Sequence, residues 1–293
     1  MGIWDDIKTS FRQGTSLNRL IYINVGVFLV IKILEVISYL ISRPGLAETV
    51  VGYLAVPASL PVMLARPWTL ITYMFLHQGF IHLLFNMLLL YWFGKIFLAY
   101  LDQRKMVAVY FMGGLAGSFL YILIFNIFPA FAGVVNVSIA LGASASVMAM
   151  VIATAVYLPD LELYLLFFGR VKQKYLALIT FLITSVFDFS VNTGGKISHI
   201  GGALLGMAYG YGLKNGRDLG AWFNWIIDLV VTLFKPRKKL KVAYKKPKTD
   251  YEYNKAKTER QKAIDHILDK ISKGGYDSLT REEKDILFRE SQK

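Results

Sequence analysis

The sequence predicts an all-α fold set in a membrane, with six apolar helices bundled together and a short polar helical tail behind them. Three observations lead to it. Of 293 residues, 55% are hydrophobic and 18% charged, whereas soluble chains average about 45–50% and about 25%. Six windows approach the ~20 apolar residues that cross a hydrocarbon core: Leu20 to Ile41, His82 to Leu101, Met106 to Phe128, Leu141 to Leu158, Tyr175 to Ser190 and Ser198 to Leu213. The net charge of +13 is also unevenly placed, because 18 Lys and Arg against 10 Asp and Glu lie from Lys235 onward. The excess is a polar tail, which argues for a membrane surface and against a nucleic-acid partner.

Taken in order, residues 1–19 form a polar N-terminal segment, and no cleavable signal is expected because the first apolar run is long enough to stay in the bilayer. The membrane domain then runs over 20–213. Between its first two spans lies Val50 to Ala65, apolar but only 16 residues long and interrupted by Pro57 and Pro61. Each proline removes a backbone donor that lipid cannot replace, so this stretch is expected as an apolar loop at the outer interface. The last two spans are short and are expected to pack among other helices. Lys32 and Glu35, three apart in the first span, read as a neutralising pair.

Charge placement tests the count. With six spans and both termini cytoplasmic, the inner segments collect Lys8, Arg12, Arg19, Arg104, Lys105, Arg170, Lys172, Lys174 and the basic tail, leaving Arg43, Arg66 and Lys196 outside. A plasma (inner) membrane location follows as the expectation. Beyond the bundle, 214–234 is expected as an interfacial anchor carrying Trp222 and Trp225. Residues 235–262 read as a basic linker. Residues 263–293 read as a small cytosolic helical hairpin, with Ile264, Ile267, Leu268 and Ile271 at helical spacing, a stop at Gly274-Gly275 and a capping box at Thr280-Arg-Glu-Glu283. That hairpin either docks a cytosolic partner or is a marginal tail.

Polar groups within spans mark function by default. In the six-span topology the second, fourth and sixth spans all begin at the outer face, which brings His82 with Asn86, Ser144 and His199 to one depth. A serine hydroxyl becomes a nucleophile when a base takes its proton, and a neutral imidazole is suited to that. His199 can serve Ser144. His82 and Asn86, at i and i+4 on one helix face, can donate to the oxyanion that follows, together with the backbone N–H of Ser144 at its helix N-terminus. Gly202, Gly206 and Gly210 return to one face of the sixth span, Ala145, Ala149 and Ala153 answer on the fourth, and Gly113 and Gly117 notch the third. Ser146 is two residues and about 200° from Ser144, so it faces away.

In their order and spacing, Trp68-Thr-Leu-Ile-Thr-Tyr-Met-Phe-Leu-His77, His82-Leu-Leu-Phe-Asn86, Gly142-Ala143-Ser144 and Ser198-His199-Ile-Gly-Gly202 resemble the rhomboids, the intramembrane serine proteases. The resemblance covers roughly residues 18 to 213. It implies a Ser144–His199 dyad without an acidic third member, so that Asp188 near the outer end of the fifth span reads as solvated. His82 and Asn86 match the oxyanion pair, Gly142 matches the first glycine of GxSG, and His77 and Trp68 match positions that brace the outer loop. Residues 43–78 match the family's membrane-embedded first loop, and the fifth span its mobile gate for transmembrane substrates. Two departures stand out. Ala145 replaces the second glycine, adding a methyl where the fourth span is expected to meet the sixth, and Thr69 follows Trp68 where the family commonly has arginine.

The implied activity is endoproteolysis of transmembrane proteins near the outer face, with the lipid bilayer as medium. The alternative is a rhomboid-like protein that binds transmembrane helices without cutting them. A proton-coupled transporter is disfavoured because no chain of intramembrane carboxylates accompanies the histidines. No cofactor or metal is expected: cysteine is absent, and HExxH, GxxxxGK[ST] and GxGxxG patterns do not occur.

Overall fold

The computed structural model describes residues 8–11, 13–165, 169–187, 192–234 and 249–291. The chain divides into two compact units, Met1–Lys235 and Pro236–Lys293. Asp188 and the first half of the expected linker, 235–248, lie outside the described residues.

The first unit is a bundle of helices, each beginning where a local signal starts it. Helix α1 (Ser16–Leu40) is capped by Thr15, whose side chain accepts from the Asn18 N–H. It buries Leu17, Leu20, Asn24, Phe28 and Ile31 along one face and exposes Leu29, Val30, Ile33, Val36 and Ile37 on the other. Exposed apolar area on this scale needs a non-aqueous neighbour. Helix α2 (Leu46–Leu54), strand β1 (Val56–Pro57), helix α3 (Leu60–Ala65) and the turn α4 (Thr69–Thr72) follow, with a 3₁₀ turn at Tyr73–Phe75. The segment expected as a bare loop is therefore short helices divided by its prolines: Pro57 sits in the strand, and Pro61 falls in the first turn of α3, where no N–H is needed.

Helices α5 (Phe80–Tyr100) and α6 (Gln103–Ile127) come next. Asp102 starts α6 by accepting from the Lys105 N–H at 2.9 Å. Strand β2 (Ile139–Ala140) pairs antiparallel with β1, Val56 opposite Ala140 and Pro57 opposite Ile139. Helix α7 (Ser144–Tyr157) leads into a hairpin of β3 (Glu162–Leu165) and β4 (Gly169–Lys172) that the sequence reading did not foresee. Asp160 at its base pairs with Lys172 and Lys174. Helix α8 (Gln173–Phe181) continues as a π turn over Leu182–Val186. Helix α9 (Thr193–Lys214) is capped by Asn192 in the left-handed region, and α10 (Ala221–Phe234) follows. Helix α10 rests on α6 through the Phe111–Phe223 stack and the Arg104–Asp228 ion pair, while Trp222 and Trp225 stay exposed.

Each of the six expected windows overlaps one of the helices α1, α5, α6, α7, α8 with its π turn, and α9, the fifth window running past Phe187 beyond the described residues. Three of them, Ser16–Leu40, Phe80–Tyr100 and Gln103–Ile127, are long and apolar enough to cross a membrane. Helix α7, with 14 residues, is only about 21 Å long.

The glycine stripe of α9 sets the tightest packing. A methyl on Gly202 would collide with the Ala145 carbonyl, and on Gly206 or Gly210 it would fall 2.5 Å from the carbonyl oxygens of Ala149 and Ala153. On the third side, a methyl on Gly117 would fall 2.5 Å from the Ala145 methyl, and one on Gly113 would collide with that of Ala149. The expectation for Ala145 is corrected accordingly: its methyl points to α6, and its carbonyl is the group that meets α9.

In the second unit, helix α11 (Asp250–Gly274) begins at Asp250, within the stretch expected as linker, because Thr249 and Glu252 form a capping box. Gly275, with φ of +72°, ends it. Helix α12 (Arg281–Ser291) opens on the second expected box, in which the Thr280 N–H donates to Glu283 at 2.7 Å and Thr280 Oγ1 accepts from the Glu283 N–H at 3.4 Å. Lys270 on α11 pairs with Glu283 at 3.0 Å.

Two predictions follow from this packing. Gly206→Val drives a side chain into the α7 backbone and should destabilise the bundle by about 1–3 kcal/mol, read as a lower unfolding midpoint in detergent; an unchanged midpoint would contradict the packing. The backbone N–H from the Thr280 box, and then Lys270, lower the Glu283 carboxyl to about 2 from its ordinary 4.5. Its contribution to the hairpin is therefore full above about pH 4.5 and lost as pH falls through about 2. Hydrogen exchange at the amides of α12 should be pH-insensitive in its protection down to about pH 4.5 and lose protection below that, a loss that Glu283→Gln removes.

Candidate active site

The site is built around Gly142. Its φ of +133° and the small β1–β2 pairing bend the chain sharply between Ala140 and the start of α7. The loop before α5 holds this turn in place: the Gly142 N–H donates to the Tyr73 carbonyl at 2.9 Å, and the Tyr73 hydroxyl donates to the Gly114 carbonyl of α6 at 2.5 Å. Tyr73 is fully buried, and sequence reasoning assigned it no role. Only its place within the Trp68–His77 segment hinted at one.

The φ of Gly142 is one that side chains rarely adopt, and its Cα is also closely bordered. A methyl on Gly142 would lie 3.1 Å from His82 Cε1, 3.3 Å from His82 Nε2 and 3.4 Å from Ser144 Oγ. The His82 imidazole and the Ser144 hydroxyl thus border the same small space. Ser144 is the first residue of α7, so its backbone N–H has no partner inside the helix. His82 lies in the first turn of α5, and Asn86 is buried one turn further on. Asn86 Nδ2 donates one hydrogen to the His82 carbonyl at 2.8 Å, and the amide carries a second.

His199 lies in α9, one turn before Gly202, whose contact with Ala145 brings the backbones of α9 and α7 together beside Ser144. Its Nδ1 is 3.1 Å from the carbonyl oxygen of Thr184, in the π turn that ends α8. No hydrogen bond joins Ser144 to His199 among the described residues. Such bonds are often long without substrate and tighten when it binds. Thr184 was not anticipated, since a backbone acceptor at a helix end has no side-chain signature.

The His77 ring sits edge-on to His82 with centroids 5.1 Å apart, buried, and neither nitrogen has a hydrogen-bond partner among the described residues. The Trp68 indole N–H donates to the Tyr53 carbonyl at 2.9 Å, and Arg66 lies 4.0 Å over the Tyr53 ring, tying α2 to α4. Thr69 Oγ1 donates to the Arg66 carbonyl at 2.7 Å. Ser146 is buried, with its Cα against Gly113 of α6. Lys32 and Glu35 form their ion pair at 2.7 Å. Among the described residues no group of three or more His, Asp or Glu side chains is placed to hold a metal ion.

No curated protein matches the sequence. Two family models do: a family of unknown function (DUF6576) over residues 248–293, and the rhomboid domain over residues 64–216, just over half of the chain and all of the site described above. The chain belongs to the rhomboid family.

Proposed function

We propose that the chain is a serine endopeptidase that cuts transmembrane substrates within the bilayer, near its outer face, with Ser144 as nucleophile and His199 as general base. Rhomboid membership carries the class of activity. The observation that carries the site is the convergence on Gly142, where the Ser144 hydroxyl and the His82 imidazole share one small space. His199 Nε2 accepts the Ser144 proton as Oγ attacks the scissile carbonyl carbon. The oxyanion is met by His82, the second Asn86 hydrogen and the Ser144 N–H, donors already fixed before charge develops. The Nε2 proton then passes to the leaving nitrogen as the C–N bond breaks. Water, deprotonated by the same base, attacks the acyl carbon and frees Ser144.

In this reading helices α1, α5, α6, α7, α8 and α9 are six spans, and both termini, with the 263–293 hairpin, are cytoplasmic at the plasma (inner) membrane. Residues 235–262 then supply basic charge on the inner side, 214–234 lies at the interface, and 43–78 lies in the outer leaflet. The shortness of α7 supports a nucleophile recessed below the outer surface, because about 21 Å of helix cannot fill a core of about 30 Å. The second reading is an inactive homologue that binds transmembrane helices, favoured by the missing Ser144–His199 hydrogen bond.

Labelling by a fluorophosphonate separates the two. The wild-type chain should be labelled and Ser144→Ala should not; an unlabelled wild type favours the binding protein, and cleavage of a transmembrane substrate by Ser144→Ala would refute the mechanism. Removing one oxyanion donor, by His82→Ala or Asn86→Ala, should lower kcat by about 10²–10³. Gly142→Ala should abolish labelling, because its methyl occupies the shared space and its backbone is strained by about 1–3 kcal/mol; labelling at the wild-type rate would argue that this space is not used.

A further inference from the structure

Among the described residues, the C-terminal end of α8 is joined to α9 by hydrogen-bond contacts to Lys196 and His199 of α9. A helix leaves its last carbonyls without intrahelical donors, and the π turn closes with the Phe187 N–H donating to the Leu182 carbonyl at 3.1 Å. The free carbonyls turn to α9: that of Phe187 accepts from the Lys196 ammonium, and that of Thr184 faces His199 Nδ1 at 3.1 Å. Further along α8, away from the π turn, a groove of about 310 Å³ lies between α7, α8 and α9, lined by Ala155, Ala177, Phe181, Ala203 and Met207 among others. Ile183 and Val186 of the same turn point outward and are exposed.

A carbonyl oxygen can only accept, so the ring nitrogen facing it must carry hydrogen. A neutral imidazole carries one such hydrogen. With it on Nδ1, Nε2 is left with its lone pair, the form a base must have. His199 makes no ion pair with a carboxylate among the described residues.

On the protease reading above, we propose that the Thr184 backbone carbonyl is the positioning group for the general base, holding His199 in the tautomer with Nδ1–H and a free Nε2, as a carboxylate does in a triad. The Nδ1 proton stays on the ring throughout: when Nε2 takes the Ser144 proton, the resulting imidazolium keeps its bond to Thr184. Because the carbonyl belongs to α8 and the base to α9, the base is set only while the end of α8 rests against α9. A π turn suits this task, since π geometry is frequent at functional sites and here it aims the Thr184 carbonyl at the end of α8 toward α9.

Two measurements on the full chain test this. In ¹⁵N-histidine spectra of detergent-solubilised protein, with His199 assigned by loss of its signals in His199→Gln, Nδ1 should be the protonated nitrogen. Replacing Ser185 by its α-hydroxy acid turns the Thr184 carbonyl into an ester, a weaker acceptor. Fluorophosphonate labelling of Ser144 should then slow about tenfold, the loss of roughly one ordinary hydrogen bond, and the His199 tautomers should become mixed. The matching ester after Phe187 weakens the Lys196 contact instead and should leave the tautomer unchanged and labelling near the wild-type rate. Hydrogen on Nε2 in the wild type, or equal slowing by both esters, would overturn the proposal and reduce Thr184 to a helix cap. Complete absence of labelling in the wild type would overturn the protease reading, and this proposal with it.

Discussion

The contact between the backbone of α9 and that of α7 is the constraint on which the rest depends. Lipid tails are as apolar as leucine, so helices in a bilayer gain little from hiding apolar surface and must gain from close packing. Gly202, Gly206 and Gly210 supply it by letting α9 lie directly on the carbonyls of Ala145, Ala149 and Ala153. Three contacts at four-residue spacing fix register as well as distance: a slip of one residue would turn α9 by about 100° and present side chains where only hydrogens fit. Ser144 adjoins the first of these contacts and His199 precedes it by less than one turn. Their relation is therefore set by glycines rather than by any bond between them.

A second requirement arises from irregular backbone. Non-helical segments are tolerated at membrane depth only when protein covers them and satisfies their polar groups. The segment between α1 and α5 meets this through buried side chains used as connectors. Asn24 Nδ2 donates to the Tyr110 hydroxyl at 3.1 Å, and that hydroxyl donates to the Met74 carbonyl at 3.1 Å. One residue earlier, Tyr73 joins the Gly114 carbonyl to the Gly142 N–H. The same bonds that satisfy this segment also hold the turn before Ser144, so the segment between α1 and α5 and the candidate site form one polar network with α6 as its anchor.

How much of this was legible follows from what a sequence displays. Each of the six apolar windows overlaps a helix, α1, α5, α6, α7, α8 or α9, and the Gly and Ala periodicities name the residues whose backbones meet between α9 and α7, though not the direction of the alanine methyls. Capping chemistry located α12, since Thr280 and Glu283 announce their bonds by type and spacing. The same rule applied at Thr249 and Glu252 would have found the start of α11, but the surrounding lysines weighed toward a linker. The direction of the Ala145 methyl was misjudged because a helix residue presents its side chain and its carbonyl to different neighbours. Tyr73 and Thr184 were missed for a related reason: their partners are backbone groups made available by chain geometry, and backbone groups are the same at every position of a sequence.

That last point bears on why a base would rely on a carbonyl. A carboxylate beside His199 would stabilise the imidazolium more strongly, but an ionised acid taken out of water costs several kcal/mol unless other donors satisfy it. A peptide carbonyl carries no net charge, and at the end of a helix it is already in need of a donor. It also gains from the negative end of the helix dipole, which favours a cation at that terminus by roughly 0.3–1 kcal/mol. The arrangement at α8 thus supplies orientation at little desolvation cost, and it sacrifices the stronger stabilisation an acid would give. On the protease reading, a dyad built this way is slower than a triad but stable in an apolar bundle, and its base is competent only while α8 and α9 are joined.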